Sequence, residues 1–295
     1  MATGLYGIRG NKISFKSGAA FPGNSLLTRG TGACTMIEAK KTDSGYKLFH
    51  LEMHKKRLKT SAEFLGFDFE KVEGLRNLGQ NLLGTKSKPG LLEKCGFDES
   101  CVRVYISDLT DDGFTPAGRP EIYVFIDEEH RHTKPAHVAT TLNHHRAYPH
   151  VKTLSDYQPA EKAMSEAKAD FGEQIEEVIY VNPHTGEVLE GGRSNIFILK
   201  KDYEFVTPDP RAGKVLPGIT LQILMKLVSK KMYMTRGVIK IGELFSPDTT
   251  GIVKASTTGV VPICSINGRE VPISQKTLEV CRGFEDYRTV YYANK

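Results

Sequence analysis

Residues 188–197 read VLEGGRSNIF, a stretch in which one strand pattern stops at two glycines and a second strand pattern begins. Because Gly191 and Gly192 carry no side chain, the backbone or a ligand can approach this turn closely. Glu190 directly precedes the two glycines. On this stretch alone two interpretations stay open: a surface carboxylate at a hairpin turn, or a carboxylate directed at a ring nitrogen.

Residues 216–220, LPGIT, predict the start of a helix. Pro-Gly ends a loop, and apolar residues from 218 to 231 then recur on one helical face. The first backbone amides of a helix have no acceptor within it, so those of Ile219 and Thr220 are suited to a phosphate. An ordinary capped helix fits the same letters.

Other hydroxyl and cationic side chains are candidates for binding an anion or a carbonyl compound. Ser256 and Thr257 follow the strand pattern GIVKA, and Arg57 lies in the helical pattern HKKRL. A guanidinium matches the geometry of a phosphate. The amine of Lys152, in HVKTLSDY, can form an imine with a carbonyl once it is neutral. Each of these residues, taken singly, also fits an exposed polar side chain.

The composition predicts a globular protein without a nucleic-acid partner. Of 295 residues, 39% are hydrophobic and 25% are charged, unlike a disordered or fibrous chain. The formal net charge of +5 is mild, and no dense basic stripe accompanies it. The five cysteines are scattered and lack zinc-site spacing, which predicts neither a metal site nor a disulfide framework.

Apolar runs are short throughout the chain. None reaches the roughly 18 residues that a membrane-spanning helix needs, so we expect no membrane partner. The first residues, MATGLYGIRGNKISFKSG, contain no apolar stretch of signal-peptide length. We therefore expect a cytoplasmic protein.

The order of predicted elements is mixed α/β (α+β) and favours two domains. We expect a small N-terminal α/β domain over residues 1–128 and a larger domain over residues 138–295. Residues 129–137, EHRHTKPAH, are the predicted linker, because charge and proline replace apolar periodicity there. The predicted helices cover residues 54–66, 69–83, 156–171 and 218–231. The main predicted strands cover residues 101–109, 121–126, 177–181, 194–199, 251–255 and 260–263.

Taken together and in this order, the motifs resemble the fold-type IV pyridoxal-phosphate enzymes. That family contains branched-chain aminotransferases, D-amino-acid aminotransferases and aminodeoxychorismate lyases. The resemblance extends from about residue 29 to residue 273 and rests on an ordered series of motifs. These are HxxRL at 54–58, Lys152 with Tyr157 five residues on, EGxxSNxF at 190–197, Thr207-Pro208, and LPGIT at 216–220.

The resemblance implies a two-domain fold, with a barrel-like β core in the larger domain. It also implies pyridoxal 5′-phosphate as cofactor, bound between the domains, and a homodimer. Lys152 resembles the lysine that holds this cofactor as an internal aldimine and then serves as general base. Glu190 resembles the carboxylate that keeps the pyridine nitrogen protonated, and Tyr157 resembles the tyrosine that hydrogen-bonds the phenolic oxygen. The residues that resemble the phosphate-binding set are Arg57, Ile219, Thr220, Ser256 and Thr257.

The implied activity is ping-pong transfer of an amino group between an amino acid, or related amine, and a 2-oxo acid. The alternative is a lyase that releases pyruvate and 4-aminobenzoate from aminodeoxychorismate. Cys34 and Thr35 replace the aromatic residue and glutamate of many relatives, and Asp156 stands where branched-chain enzymes often carry asparagine. The substrate is therefore left open. The candidates for binding it are Thr35, Arg29, Arg103 and Arg146.

Overall fold

A computed structural model of the chain describes residues 4–9, 12–15, 32–68, 72, 74–108, 120–129 and 131–294. The chain divides into two compact units. The first consists of residues 1–130, 151–155 and 290–295, and the second of residues 131–150 and 156–289. The junction at residues 130 and 131 lies inside the predicted linker, although a strand already begins at Ala136.

An antiparallel sheet with the strand order β2-β1-β8-β7-β3-β4 forms the centre of the first unit. Its side chains alternate between two faces. Val102, Val104 and Ile106 are fully buried and pack with Ile37, whereas Arg103 lies on the opposite face. The strands of this unit are β1 (Gly4–Arg9), β2 (Lys12–Phe15), β3 (Ala33–Thr42), β4 (Gly45–Leu48), β5 (Gly84–Thr85), β6 (Lys88–Pro89), β7 (Glu99–Asp108) and β8 (Pro120–Glu128).

Three helices of the first unit are α1 (Leu51–Phe64), α2 (Leu78–Leu83) and α3 (Leu91–Cys95). The buried face of α1 consists of His54, Leu58, Ser61 and Ala62, which recur at helical spacing. The buried Leu58 and Ala62 belong to the same apolar core as the sheet.

The helix predicted over residues 69–83 is wrong in its first half, because α2 begins only at Leu78. Gly74 has a φ of 93°, a left-handed conformation that cannot continue a right-handed helix. Residues 69–71 and 73 lie outside the described residues.

Two short segments that the predicted boundaries assigned to the larger domain belong to the first unit. Residues 151–155 add to the start of β3. The amide of Cys34 donates to the carbonyl of Lys152 at 3.1 Å, and the amide of Leu154 donates to the carbonyl of Gly32 at 3.0 Å. Backbone hydrogen bonds between residues this distant in sequence have no local signature.

Lys47 holds the segment of residues 290–294 in the first unit. Its ammonium donates to the carbonyls of Tyr291 and Asn294, each at 2.6 Å. A cation at these last carbonyls also complements the negative end of the helix dipole.

A nearly closed, barrel-like sheet forms the second unit, with the strand order β14-β13-β12-β16-β17-β9-β10-β11-β15 and β18 beside β17. Its apolar core includes Val138, Ile179, Ile196, Ile252 and Val261. The strands are β9 (Ala136–Thr141), β10 (Ile175–Val181), β11 (Glu187–Gly191), β12 (Asn195–Lys200), β13 (Glu204–Pro208), β14 (Tyr233–Gly237), β15 (Ile239–Lys240), β16 (Thr249–Ser256), β17 (Gly259–Ile266) and β18 (Arg269–Glu270).

Helices α4 (Tyr157–Phe171), α5 (Ile219–Val228) and α6 (Gln275–Ala293) follow in chain order. The small residues Ala160, Ala163 and Ala167 allow α4 to pack closely on β9 and β10. Within the described ranges, no helix is both long and apolar enough to cross a membrane.

Candidate active site

In the first unit, α1 and β3 bring together Thr35, His54 and Arg57, which we call the Thr-His-Arg cluster. Arg57 Nη2 donates to Thr35 Oγ1 at 2.5 Å, and His54 Nδ1 lies 2.7 Å from the same oxygen. His54 and Arg57 are three residues apart on α1, so both side chains project from one side of the helix. The predicted candidates Arg57 and Thr35 are therefore direct neighbours.

The imidazole of His54 is neutral in this cluster. Burial lowers its pKa well below the ordinary 6.5, and the positive charges of Arg57, His50 and Lys152 lower it further. An unfolded chain carries no such penalty and takes up a proton on this ring near pH 6.5.

We expect His54→Gln to flatten the pH dependence of stability on the acidic side of neutrality. Below about pH 6.5 the unfolded wild-type chain binds a proton that the folded chain does not bind. The free energy of unfolding therefore falls on acidification, with a contribution from His54 of up to about 1.4 kcal/mol per pH unit. Urea unfolding of wild type and variant, between about pH 5 and 8, measures the two slopes.

His184→Gln is the control for this experiment, because His184 lies exposed in the turn between β10 and β11. It should leave the wild-type slope unchanged. Equal slopes in wild type and His54→Gln would contradict a neutral, buried His54.

Lys152 is held in the first unit through its backbone and is only 8% exposed. Its amide donates to Ser61 Oγ at 3.0 Å, while its carbonyl accepts the amide of Cys34. Helix α1 thus positions both Arg57 and the backbone of Lys152. Ser61 was not among the predicted site residues. Its place seven positions after His54, on the same helical face, is the signal that points to it.

Arg103 lies apart from the Thr-His-Arg cluster. It pairs with Met36 in the sheet, one residue from Thr35, and therefore occupies the other face. Arg103 Nη1 donates to Asp127 Oδ2 at 3.2 Å, and its guanidinium lies 5.3 Å from the centre of the Phe125 ring. The fourth predicted substrate candidate, Arg29, lies outside the described residues.

In the second unit, Glu190 is buried at the end of β11, with 2% of its surface exposed. The amide of Leu216 donates to Glu190 Oε2 at 3.1 Å, and Asn195 Nδ2 approaches the same oxygen at 3.4 Å. Arg146 Nε lies 3.2 Å from Glu190 Oε1. The interpretation of Glu190 as a surface carboxylate is therefore wrong, since the side chain faces into the unit.

Arg146 is buried between two carboxylates. Besides Glu190, it approaches Asp156, whose Oδ2 lies 3.9 Å from Nη1, and it donates from Nη2 to the carbonyl of Gly192 at 3.2 Å. Burial by itself lowers the pKa of Arg146, but Glu190 and Asp156 outweigh that effect and raise it. A permanent positive charge thus lies against Glu190.

The N-terminus of α5 is fixed beside the ends of two strands. Asn195 Nδ2 donates to the carbonyl of Leu216 at 2.9 Å, and Thr220 Oγ1 donates to the carbonyl of Ser256 at 3.0 Å. A Cβ at Gly218 would collide with Asn195 Oδ1, so any other residue there would displace the Asn195 side chain. The first-turn amides of Ile219 and Thr220 consequently lie beside the hydroxyl-rich end of β16.

Two further predicted residues belong to this unit. Tyr157 is the first residue of α4 and follows Asp156 directly, and Thr257 follows β16. Both are partly buried. Asn195, which joins Glu190 to the start of α5, was missed among the predicted site residues, although it lies within the EGxxSNxF motif.

The family described as Amino-transferase class IV matches residues 35–266. This chain belongs to that family. The family predicted from the motifs is confirmed, and so is the predicted activity, amino-group transfer. A search of curated proteins gave no match.

Solved structures similar to this class IV aminotransferase share its fold. The branched-chain aminotransferase of the archaeon Thermoproteus uzoniensis, solved with norvaline, has a TM-score of 0.81 at 20% identity, covering 99% of this chain and 96% of its own. The branched-chain enzyme of Escherichia coli has a TM-score of 0.79 at 19% identity, covering 97% and 94%. A hypothetical aminotransferase from Mycobacterium tuberculosis, in a form with pyridoxal phosphate bound, has a TM-score of 0.77 at 19% identity, covering 96% and 98%. The predicted fold class is confirmed.

The residues of this aminotransferase fit a phosphorylated pyridine. A phosphate dianion requires N–H and O–H donors, which the first turn of α5 and the end of β16 provide. A protonated ring nitrogen requires a buried acceptor, and Glu190 is one whose position is fixed by Arg146, Asn195 and an amide. Across the part of the chain that the structure describes, no group of three His, Cys, Asp or Glu side chains could hold a metal ion.

Proposed function

We propose that this aminotransferase uses pyridoxal 5′-phosphate to move an amino group between an amino acid, or related amine, and a 2-oxo acid. The observation that carries this proposal is the buried Glu190, held by a guanidinium and a backbone amide. When bound, this cofactor supplies an aldehyde for the amino group and a ring that accepts the electron pair left at the substrate's α-carbon.

We assign covalent attachment and proton transfer to Lys152. The backbone of residues 151–155 is fixed on both sides, by Ser61 and by Cys34, so the amine starts from a defined position. Once the incoming amine had displaced it, Lys152 Nζ would accept the proton from the substrate's α-carbon and return a proton to the cofactor's former aldehyde carbon, on the other side of the amino nitrogen.

Glu190 holds the proton of the ring nitrogen by accepting its hydrogen bond. A negative charge buried away from water needs a compensating partner, and Arg146 is that partner. We therefore propose that Arg146 is a positioning residue for Glu190, in place of the substrate role predicted from the sequence.

On the family resemblance, the cofactor's phosphate is assigned to Arg57 and to the start of α5. Amides of Ile219 and Thr220 and hydroxyls of Ser256 and Thr257 complete the set of donors. The hydroxyl of Thr220 already donates to the carbonyl of Ser256, so its backbone amide is the donor that we assign. Tyr157 is assigned to the phenolic oxygen of the ring.

Arg103, paired with Asp127 on the sheet face opposite Thr35, stays a candidate for the substrate carboxylate on the family resemblance. Arg29 stays a candidate on the basis of the sequence alone. The family resemblance supports a homodimer and a cytoplasmic location; both are part of this proposal.

A visible absorbance spectrum of the purified protein tests the proposed function. We expect pyridoxal phosphate to give a new band and L- or D-amino acids, tested as a panel, to shift it. Alanine with varied 2-oxo acids should then yield the matching amino acids. An unchanged spectrum with every amino acid and no amino-group transfer would contradict the proposal. Pyruvate released from aminodeoxychorismate, without transfer, would favour the lyase.

A further inference from the structure

A polar residue interrupts the apolar face of β3. The core-facing positions of this strand are Ala33, Thr35, Ile37 and Ala39, and all four are at least 98% buried. Three of them are apolar, as expected for a strand packed under a helix. A buried hydroxyl in such a row needs hydrogen-bond partners to offset its lost hydration.

The partners of Thr35 come from one side of α1. Arg57 Nη2 and His54 Nδ1 both lie within hydrogen-bond distance of Thr35 Oγ1. We propose that Thr35 is a positioning residue that orients the Arg57 guanidinium toward the cofactor's 5′-phosphate. This proposal rests on the phosphate-binding role proposed for Arg57.

The directions of these two hydrogen bonds follow from the chemistry of the groups. A guanidinium only donates, so Thr35 Oγ1 accepts from Arg57. The hydroxyl proton then goes to Nδ1 of His54, because that ring is neutral and accepts at one nitrogen. The order of donation is Arg57 to Thr35 to His54, and it fixes the His54 proton on Nε2.

This chain of hydrogen bonds restricts Arg57 to one arrangement. Arg57 as a whole residue is partly exposed, whereas Thr35 and His54 are each only 2% exposed. Water therefore cannot replace the hydroxyl when it is removed. Without it, the long arginine side chain must lose its rotamer freedom at the moment the phosphate binds, which weakens binding.

Comparing the affinities for two cofactor forms, with and without the phosphate, distinguishes the positioning role of Thr35 from a general effect on the fold. Apo-protein is titrated with pyridoxal 5′-phosphate and, separately, with pyridoxal, which lacks the phosphate. We expect Thr35→Val to weaken binding of the phosphate form by about tenfold, the scale of one hydrogen bond to a charged group. Binding of pyridoxal should not change.

Conservative and control variants complete the test. Thr35→Ser keeps the hydroxyl and should bind both forms as the wild type does, while Thr35→Ala should repeat the loss seen with valine. Thr42 lies on the same strand, but its hydroxyl donates to the carbonyl of Gly45. Thr42→Val should therefore leave the affinity for both cofactor forms unchanged. Thermal melting confirms that each variant is folded.

A double-mutant cycle with Arg57→Gln tests the coupling. If Thr35 acts through Arg57, Thr35→Val should have no further effect on phosphate-form binding once Arg57 is glutamine. Additive effects, equal losses for both cofactor forms, or unchanged affinity in Thr35→Val would each overturn the proposal. An Arg57→Gln variant with wild-type affinity, or a wild type that binds neither form, would instead overturn the proposed function, and the role of Thr35 with it.

Discussion

We expect Lys152→Ala to abolish amino-group transfer and to leave the reconstituted protein without covalently held cofactor. The reason is chemical: alanine has no amine to attach to an aldehyde and none to move the α-carbon proton, so both assigned steps are lost together. Turnover with amino acid and 2-oxo acid, and the absorbance of the reconstituted variant, measure the two losses. Ser61 and Cys34 contact only the backbone of residue 152 in the hydrogen bonds described, so we expect the variant to fold.

A second buried lysine makes a demanding control. Lys254, on β16, is 4% exposed, and burial lowers the pKa of its amine. By burial alone it is as good a candidate for a neutral amine as Lys152. Lys254→Met should retain covalent cofactor and turnover. Normal turnover in Lys152→Ala, or loss of the covalent cofactor in Lys254→Met, would contradict the assignment of Lys152.

The Glu190→Gln variant should keep the cofactor covalently bound but lose most of its amino-group transfer activity. The amide has nearly the same shape but no negative charge, so the ring nitrogen would lose the partner that we assign to its proton. Removing one charged or hydrogen-bonding group from a buried reaction site typically costs about 10²- to 10³-fold in rate, and we expect a decrease of kcat on this scale. Single-turnover kinetics and absorbance measure rate and attachment on the same sample.

Stability must be measured alongside, because Glu190→Gln removes the carboxylate nearest to Arg146 and leaves Asp156, at 3.9 Å, as its partner among the described carboxylates. A buried ion pair that loses one partner typically loses about 3–5 kcal/mol of stability. Glu187→Gln, on the same strand and paired with Lys214 at the surface, is the matched control and should retain activity. Wild-type kcat in Glu190→Gln would contradict the role assigned to this carboxylate.

Contiguous motifs explain why the sequence alone could single out candidate site residues of the second unit. Glu190 and the start of α5 lie within single short stretches, where glycines and helix signals report local backbone geometry. The ordered spacing of these stretches identified the family. The face of α5 that buries Ile219, Ile223 and Val228 followed directly from helical periodicity.

Contacts between distant segments account for what was not predicted. Residues 151–155 join the first unit through hydrogen bonds to Gly32, Cys34 and Ser61, which lie at least 91 positions away. Arg146 was a candidate for the substrate because nothing in its local sequence indicates that it faces Glu190. Likewise, the sequence places Thr35 on a strand but does not show that its hydroxyl faces Arg57 and His54 on α1.

The attachment proposed above joins the amine of Lys152 to the cofactor's aldehyde carbon. Its most direct test is borohydride reduction of the wild-type protein after reconstitution, followed by proteolysis and mass spectrometry of the peptides. We expect the reduced pyridoxyl group on the peptide that contains Lys152 and on that residue. The same group on Lys254, or no labelled peptide at all, would contradict the account.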